Sequence, residues 1–234
     1  MTYSITGLSY LIVFLVLGYL AHRFFQYWKK EKDTISKLWF YFAVTIEIFV
    51  FIKVIGGLFF ANNPAFLKIT LDAAAFIQAF ALAVLAYLLA YIKFPRISPW
   101  VAFIPVFILG LIATILTAII PFNPFLEPSR AINWGLPSGM ISFATSVLRV
   151  FLFTTIFTPL IIVHFPQIKT SKDLYVKGKI LGLSIVFLFL LLIAFLDFLL
   201  INTLKLDPIL RDIGIIIFGI ILFITLVLTR KTVS

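Results

Sequence analysis

The sequence has no cysteine, and this absence excludes several kinds of chemistry. Without thiols the chain forms no disulfide, has no thiolate metal ligand and has no cysteine nucleophile. Histidine is almost absent too, because His22 and His164 are the only 2 in 234 residues. Both lie near the ends of apolar runs, which favours interfacial anchoring over a shared metal site. We therefore predict no metal and no cofactor.

Charged residues are also scarce, at 12% of the chain against 63% hydrophobic residues. The mean hydropathy is +1.18, whereas soluble domains are about half apolar and about a quarter charged. This composition indicates a protein whose surroundings are the lipid bilayer. No segment is long and polar enough to form a separate soluble domain. We expect residues 1–234 to form a single membrane domain.

Seven apolar runs are each long enough to cross a membrane, which takes about 20 residues. The predicted fold is all-α: a polytopic membrane protein formed by a seven-transmembrane helix bundle. The first run has no basic residue before it and no small-residue cleavage site after it, which indicates a retained span rather than a signal peptide. The runs cover residues of about 4–25, 38–60, 69–92, 99–120, 137–165, 180–201 and 213–229.

Acidic residues number only 9 against 19 lysines and arginines, for a net charge of +10. Such a charge suggests nucleic-acid binding in a soluble protein, but here most cations lie in short connections after the first, third, fifth and seventh runs. Only Lys68, Arg130, Lys205 and Arg211 follow the even-numbered runs. The positive-inside rule then predicts an N-out/C-in protein of the cytoplasmic membrane, with no nucleic-acid partner.

Five ionisable residues fall inside the apolar runs: Glu47, Lys53, Asp72, Arg149 and Asp197. Each costs roughly 2.5–3.5 kcal/mol on insertion scales when it stands alone at the centre of a membrane helix. A helical rise of about 1.5 Å per residue places all but Glu47 in the outer half of the membrane. We expect these charges to pair with one another, while Glu47 lies on a different helix face from Lys53.

Hydroxyl residues accompany Arg149 on one face of the fifth run. Ser142, Thr145, Ser146 and Arg149 follow the i, i+3, i+4, i+7 spacing of a helix face. The stripe predicts a wet cavity open to the outside with Arg149 at its floor. The alternative is a helix interface, in which small hydroxyl residues allow close packing and an aspartate neutralises the arginine. The predicted ligand-binding residues are Arg149, Ser142, Thr145, Ser146, Lys53, Asp197 and Asp72, with Asp197 the expected partner of Arg149.

The longest outer connection, residues 121–137, contains four prolines and Trp134. Proline stiffens a loop and tryptophan suits the membrane interface. Either an ordered interfacial loop or a lid over an outward-facing pocket fits this composition. Similar segments about 140 residues apart, such as Asn63-Pro64 and Asp207-Pro208, leave open a division into three spans, a linker and three spans.

Catalytic arrangements are missing from the sequence. Pro137-Ser138-Gly139 is similar to an intramembrane serine protease motif, but no histidine lies at a matching depth in the sixth run. No carboxylate pair suited to hydrolysis is present, and the last run has no lysine for a retinal Schiff base. We predict that the protein is not an enzyme and has no catalytic residue.

Two family resemblances bear on function. Residues 56–68, with the Ala-rich run that follows and the N-out/C-in layout, resemble the seven-helix sensor regions that precede bacterial histidine kinases. That resemblance implies ligand sensing, and because the sequence stops at Ser234, we expect the signal to reach a separate cytoplasmic or membrane partner. Phe165-Pro166-Gln167-Ile168 is similar to the PQ-loop and sugar-transporter families, although the Pro-Gln pair occurs once, at the end of a run.

Three functions therefore compete. The first is a sensor or receptor-like module that binds a small polar or anionic ligand from the outer side. The second is a small-solute transporter built as a 3+1+3 bundle of parallel repeats. The third is a non-catalytic structural subunit, in which the polar residues serve packing alone. The sequence leaves the oligomeric state open.

Overall fold

The computed structural model describes residues 3–134, 136–170, 174–201 and 204–228, with side chains described for all of these except 164–170, 174–180 and 228. Each of its seven long helices contains a stretch long and apolar enough to cross a membrane, as in a multi-pass membrane protein. α6 continues as a π-helical segment, Leu196–Ile201. The helices are α1 (Ile5–Glu31), α2 (Thr34–Phe59), α3 (Pro64–Lys93), α4 (Trp100–Ile119), α5 (Met140–Thr170), α6 (Leu174–Phe195) and α7 (Ile209–Leu228).

The fold is all-α, as predicted, and the connection between α4 and α5 adds a short antiparallel hairpin. Strand β1 (Phe125–Leu126) pairs with β2 (Ile132–Asn133). The turn between them is closed by the Arg130 amide, which donates to the Glu127 carbonyl at 2.8 Å. The predicted ordered loop is therefore a hairpin, and Ala131 and Ile132 in it are fully buried.

The seventh helix begins about one turn before the predicted apolar run. The apolar run begins near residue 213, but α7 begins at Ile209. The carboxylate of Asp207 accepts a hydrogen bond from the Ile209 amide at 2.9 Å, and Pro208 suits the first turn of a helix. Arg211, predicted to lie in an outer connection, is consequently part of the helix.

Other helix starts follow from capping residues in the sequence. Ser4 accepts a hydrogen bond from the Gly7 amide, and Asn63, followed by Pro64, caps α3. Asp33 caps α2 through a 2.9 Å bond from the Ser36 amide. Hydrogen bonds to Ser36 hold the pKa of the Asp33 carboxyl below its ordinary value.

The seven helices form a closed bundle. Each packs against its neighbours in sequence, α7 packs against α1, and α3 also contacts α5. We call one end of the bundle the hairpin end, because it contains the hairpin together with the first residues of α1, α3 and α7. We call the opposite end the basic end, and it contains the connections at 32–33 and 94–99. The basic segments predicted at 169–179 and 230–231, together with His164 and the Pro166-Gln167 pair, lie outside the described side chains or residues.

Apolar clusters fill the bundle below the hairpin end. One cluster joins α2, α3, α5 and α6 around Leu85, Phe157 and Phe187. A second joins α1, α2, α6 and α7, and a third packs Leu67 and Leu71 of α3 under the hairpin. The buried polar side chains lie mainly near the hairpin end, next to the third cluster.

Candidate ligand-binding cavity

A small polar cavity lies between the helices and the hairpin connection. Its volume is about 40 Å³. A water molecule needs about 10–15 Å³ of such space, so the cavity has room for roughly three waters or one small anion. Trp134 and Leu136, which follow the hairpin, form part of its wall. The other polar or charged lining residues are Tyr10, Lys53, Gln78, Thr117, Thr145, Ser146, Arg149 and Asp197.

Most of the predicted ligand-binding residues meet at this cavity. Thr145, Ser146 and Arg149 of α5 line it together with Lys53 of α2 and Asp197 of the π-helical segment. The hydroxyl stripe on α5 therefore faces the bundle interior, as its helical spacing indicates. Ser142 is buried but outside the lining, and Asp72 does not line it either. Ligand binding by these residues stays a prediction.

Lys53 is a buried cation without an anionic partner. Its side chain is 5% exposed, and Nζ lies 3.7 Å from the centre of the Trp134 ring. A cation this close to an aromatic face gains a cation–π interaction, but its hydrogen-bond donors are not thereby satisfied. Within the described part of the chain Lys53 has neither an ion pair nor a hydrogen bond. The ammonium group is thus available to an anion in the cavity.

Arg149 is held in place by neutral groups. Its Nη2 donates to the Thr117 hydroxyl at 2.8 Å, and the guanidinium carbon lies 5.3 Å from the centre of the Phe198 ring. No carboxylate among the described residues lies within ion-pair distance of it. A guanidinium has five N–H donors, so several remain for a ligand or for water.

Two further donors at the cavity are buried and unsatisfied. The Ser146 hydroxyl and the Trp134 indole N–H have no hydrogen-bond partner among the described residues. Thr145, in contrast, donates to the Ile141 carbonyl of its own helix at 2.8 Å. Buried polar groups are rarely left without partners, so two unsatisfied donors at one cavity indicate that the cavity holds a molecule or ion such as water or an anion.

Asp197 pairs with a different residue from the one predicted. Its carboxylate lies 3.6 Å from Nη1 of Arg211, and this is its ion pair in the described part of the chain. The predicted Arg149–Asp197 pair is therefore wrong. Arg211 was assigned to a connection because its charge interrupts the apolar pattern, so it was not considered as a partner.

Arg211 is surrounded by polar groups, although its Nη1 has an ion-pair partner but no hydrogen bond among the described residues. It is 1% exposed, and its Nε and Nη2 donate to the Asp212 carboxylate at 2.9 and 2.8 Å. Nη2 also donates to the Ile132 carbonyl of the hairpin at 2.9 Å. Thr6 of α1 completes the network, because its hydroxyl donates to Asp212 at 2.5 Å and accepts from the Ile132 amide at 2.7 Å.

Sequence reasoning missed this network, although one signal for it was present. Asp207 followed by Pro208 is a typical helix start, since aspartate caps the first turn and proline fits within it. Reading the helix from that point would have placed Arg211 and Asp212 in its first turns. The partners Thr6 and Ile132 come from distant parts of the chain, and no local pattern indicates them.

The remaining charges within the helices lie elsewhere. Asp72 pairs with Lys68 at 3.4 Å, and Lys68 also donates to the Thr117 carbonyl at 2.7 Å. Glu47 faces α1, where a Cβ added to Gly18 would lie 3.0 Å from a carboxylate oxygen of Glu47. Glu47 and Lys53 thus point to different neighbours, as their six-residue spacing implies.

Lys205 fixes the chain segment that leads from the hairpin to α5. Its Nζ donates to the carbonyl of Leu136, a cavity-lining residue. Partial burial lowers the pKa of Lys205. Leu136 in the cavity wall is therefore bonded to the connection that precedes α7.

No group of three histidine, cysteine or carboxylate side chains within the described residues is placed to hold a metal ion. A scan of protein-family models, a search of curated proteins and a search of solved structures each gave no match. The function therefore has to be inferred from the cavity and the side chains around it.

Proposed function

We propose that the protein is a receptor-like sensor module of the bacterial cytoplasmic membrane that binds a small anion in the cavity at its hairpin end. In this proposal the N-terminus and the hairpin face the outside and the C-terminus faces the cytoplasm, as the distribution of lysine and arginine predicts. The ligand enters from the outer side. A cytoplasmic or membrane partner receives the signal, in keeping with the resemblance to histidine-kinase sensor regions.

The observation that carries the proposal is the surplus of donors at the cavity. Among the described residues, Lys53 and Arg149 bring two positive charges without an ion pair of their own, and Ser146 and Trp134 bring two unsatisfied donors. Asp197 supplies the opposing charge but is shared with Arg211. A buried cation without a counter-ion is costly, so an anion bound here would be strongly stabilised.

The size of the cavity restricts the ligand. A volume of about 40 Å³ suits a halide, nitrate or formate and excludes sugars, peptides and nucleotides.

In this proposal the hairpin transmits the effect of anion binding from the cavity to the helices. Trp134 contacts Lys53, and Ile132 of the hairpin is bonded to α1 and α7, so a shift at the cavity reaches both of these helices.

Thermal unfolding of the purified protein in detergent tests the proposal. Chloride, nitrate and formate are titrated at constant ionic strength with gluconate, which is too large for the cavity, as the balancing anion. At least one small anion is expected to raise Tm progressively with the logarithm of its concentration, and the rise should correspond to about 2.7 kcal/mol of stabilisation at 100 times its Kd. Arg149→Gln should abolish this response. Arg130→Gln, which removes an exposed cation at the same end, should leave it unchanged.

Two results would contradict the proposal. One is that no small anion stabilises the protein more than gluconate does. The other is an equal response in Arg149→Gln and Arg130→Gln. Ser146→Ala serves as a second variant that keeps both charges, and loss of one hydrogen bond to a charged ligand, about 1.5–3 kcal/mol, should weaken anion affinity by roughly 12- to 160-fold.

The transporter hypothesis is favoured by one observation, the π-helical segment that carries Asp197. Such segments are rare and often occur at functional sites. Asp197 and Lys53 line the same cavity, so they could form part of an ion or proton path. Flux of chloride, nitrate, formate or protons in liposomes that contain the protein would support transport. Absence of flux for all four would count against it and leave the sensor proposal intact.

A further inference from the structure

A second cavity opens between α3, α4 and α5 near the basic end of the bundle. Its volume is about 380 Å³, within the range of about 300–1,000 Å³ that is usual for small-molecule pockets. The walls are mainly apolar and include Ala86 and Ala90 of α3, Ala102 and Pro105 of α4, and Ile156 of α5. We call this cavity the α3–α4–α5 crevice.

Small side chains create the crevice. Nearer the hairpin end α3 and α4 are in tight contact, since a Cβ added to Gly110 would lie 2.6 Å from the Cβ of Ala79. Towards the basic end the facing residues include Ala86 and Ala102, which do not fill the space between the helices and α5. The buried Ile156 lies at the inner wall. The crevice is thus an apolar slot that runs from the bundle surface towards the core.

The mouth of the crevice is lined by exposed apolar residues, and two exposed cations are their neighbours in the chain. Phe94, Ile97 and Val101 line it and are 56%, 51% and 64% exposed. Lys93 and Arg96, which are exposed as well, lie next to these residues in the chain. An apolar slot whose rim carries two cations matches a molecule with a hydrocarbon chain and a negative head group.

We propose that the α3–α4–α5 crevice binds one acyl chain of an anionic phospholipid, with the lipid phosphate beside Lys93 and Arg96. Basic pockets between transmembrane helices are suited to anionic head groups, and each cation near the surface contributes to the attraction. An acyl chain fills the apolar slot and gains van der Waals contacts with its walls, which an ionic ligand without a chain would not do. The site lies near the opposite end of the bundle from the anion cavity and is independent of it.

Native mass spectrometry of the full chain in detergent tests this assignment. Phosphatidylglycerol and phosphatidylcholine with identical acyl chains are titrated separately, and occupancy of the first lipid site is measured. With roughly fivefold tighter binding for each cation, phosphatidylglycerol should bind on the order of 25-fold more tightly. The double variant Lys93→Gln/Arg96→Gln should lose this preference. The matched control Lys29→Gln/Lys30→Gln, with two exposed cations on α1, should keep it.

A second variant tests the acyl chain. Ala102→Phe fills the crevice and should reduce binding of both lipids at this site, whereas glycerol phosphate, which has no chains, should not displace the lipid. Equal binding of the two lipids to the unaltered protein would overturn the proposal. Equal loss of preference in the two double variants would do so too, and that comparison decides the matter even if Ala102→Phe does not fold. Unchanged lipid binding in a folded Ala102→Phe protein would also overturn it.

Discussion

Buried charges are accommodated in two different ways in this protein. Arg211 has carboxylates, a carbonyl and a hydroxyl around it, so its burial is compensated within the chain. Lys53 and Arg149 have aromatic rings and one hydroxyl. A membrane protein retains costly charges where they serve structure or function. We assign Arg211 to structure and Lys53 with Arg149 to the ligand.

The first prediction concerns the Arg211–Asp212 pair. Asp212→Asn leaves a fully buried guanidinium with only the more distant Asp197, and loss of one partner from a buried pair costs about 3–5 kcal/mol. Asp72→Asn is the matched control, because the Lys68–Asp72 pair is partly exposed and such pairs contribute about 0–1 kcal/mol. The free energy of unfolding, measured in detergent, should fall far more for Asp212→Asn. Similar losses in both variants would refute the structural role of the buried pair.

The first turn of α1 is the element that joins the hairpin end together. The Ser4 hydroxyl donates to the Gly57 carbonyl of α2 at 2.6 Å, and the Ile5 amide donates to the Arg130 carbonyl of the hairpin at 2.8 Å. Thr6 then bonds to both the hairpin and α7. One helix turn thus bonds to α2, to the hairpin and to α7.

A close crossing of α1 and α2 makes this arrangement possible, and it yields the second prediction. A Cβ added to Gly57 would lie 2.5 Å from the Cα of Gly7, so Gly57→Ala must push the helices apart. We expect a loss of about 1–3 kcal/mol in the free energy of unfolding, as for other overpacked sites. Gly214→Ala should instead be neutral or stabilising by up to about 1 kcal/mol, since its nearest neighbours lie at 3.8 Å. Equal Tm values for the two variants would contradict the close crossing.

The whole molecule has a hairpin end and a basic end, and the distribution of lysine and arginine predicts that the hairpin end faces the outside. The absence of cysteine makes this testable, because a single introduced cysteine is labelled without background. Asn123→Cys, exposed beside the hairpin, should react with an impermeant maleimide in intact cells. Ser98→Cys, exposed at the basic end, should react only after permeabilisation. The reverse pattern would place the hairpin in the cytoplasm and exclude entry of the ligand from outside.

Sequence patterns were sufficient for the features that depend on local chemistry. Apolar length predicts the seven helices, and the face shared by Thr145, Ser146 and Arg149 predicts that these residues line one polar cavity. Both follow from periodicities that a single helix imposes on its own residues. The seventh helix begins before the predicted apolar run because that run starts after Arg211, whereas the helix starts where Asp207 and Pro208 allow its first turn to form.

Only the tertiary structure decided which charged side chains pair with one another. The sequence by itself predicted that Arg149 and Asp197 lie at similar depth, but two charges at similar depth can face different neighbours. Packing of α7 against α1 brings Arg211 to Asp197 and to the hairpin, which leaves Arg149 to Thr117 and Phe198. Hydropathy along the chain indicates the depth of a residue and the helix face on which it lies. The pairing of charged residues depends instead on which helices are neighbours, and contacts between residues as far apart as Thr6 and Asp212 decide that.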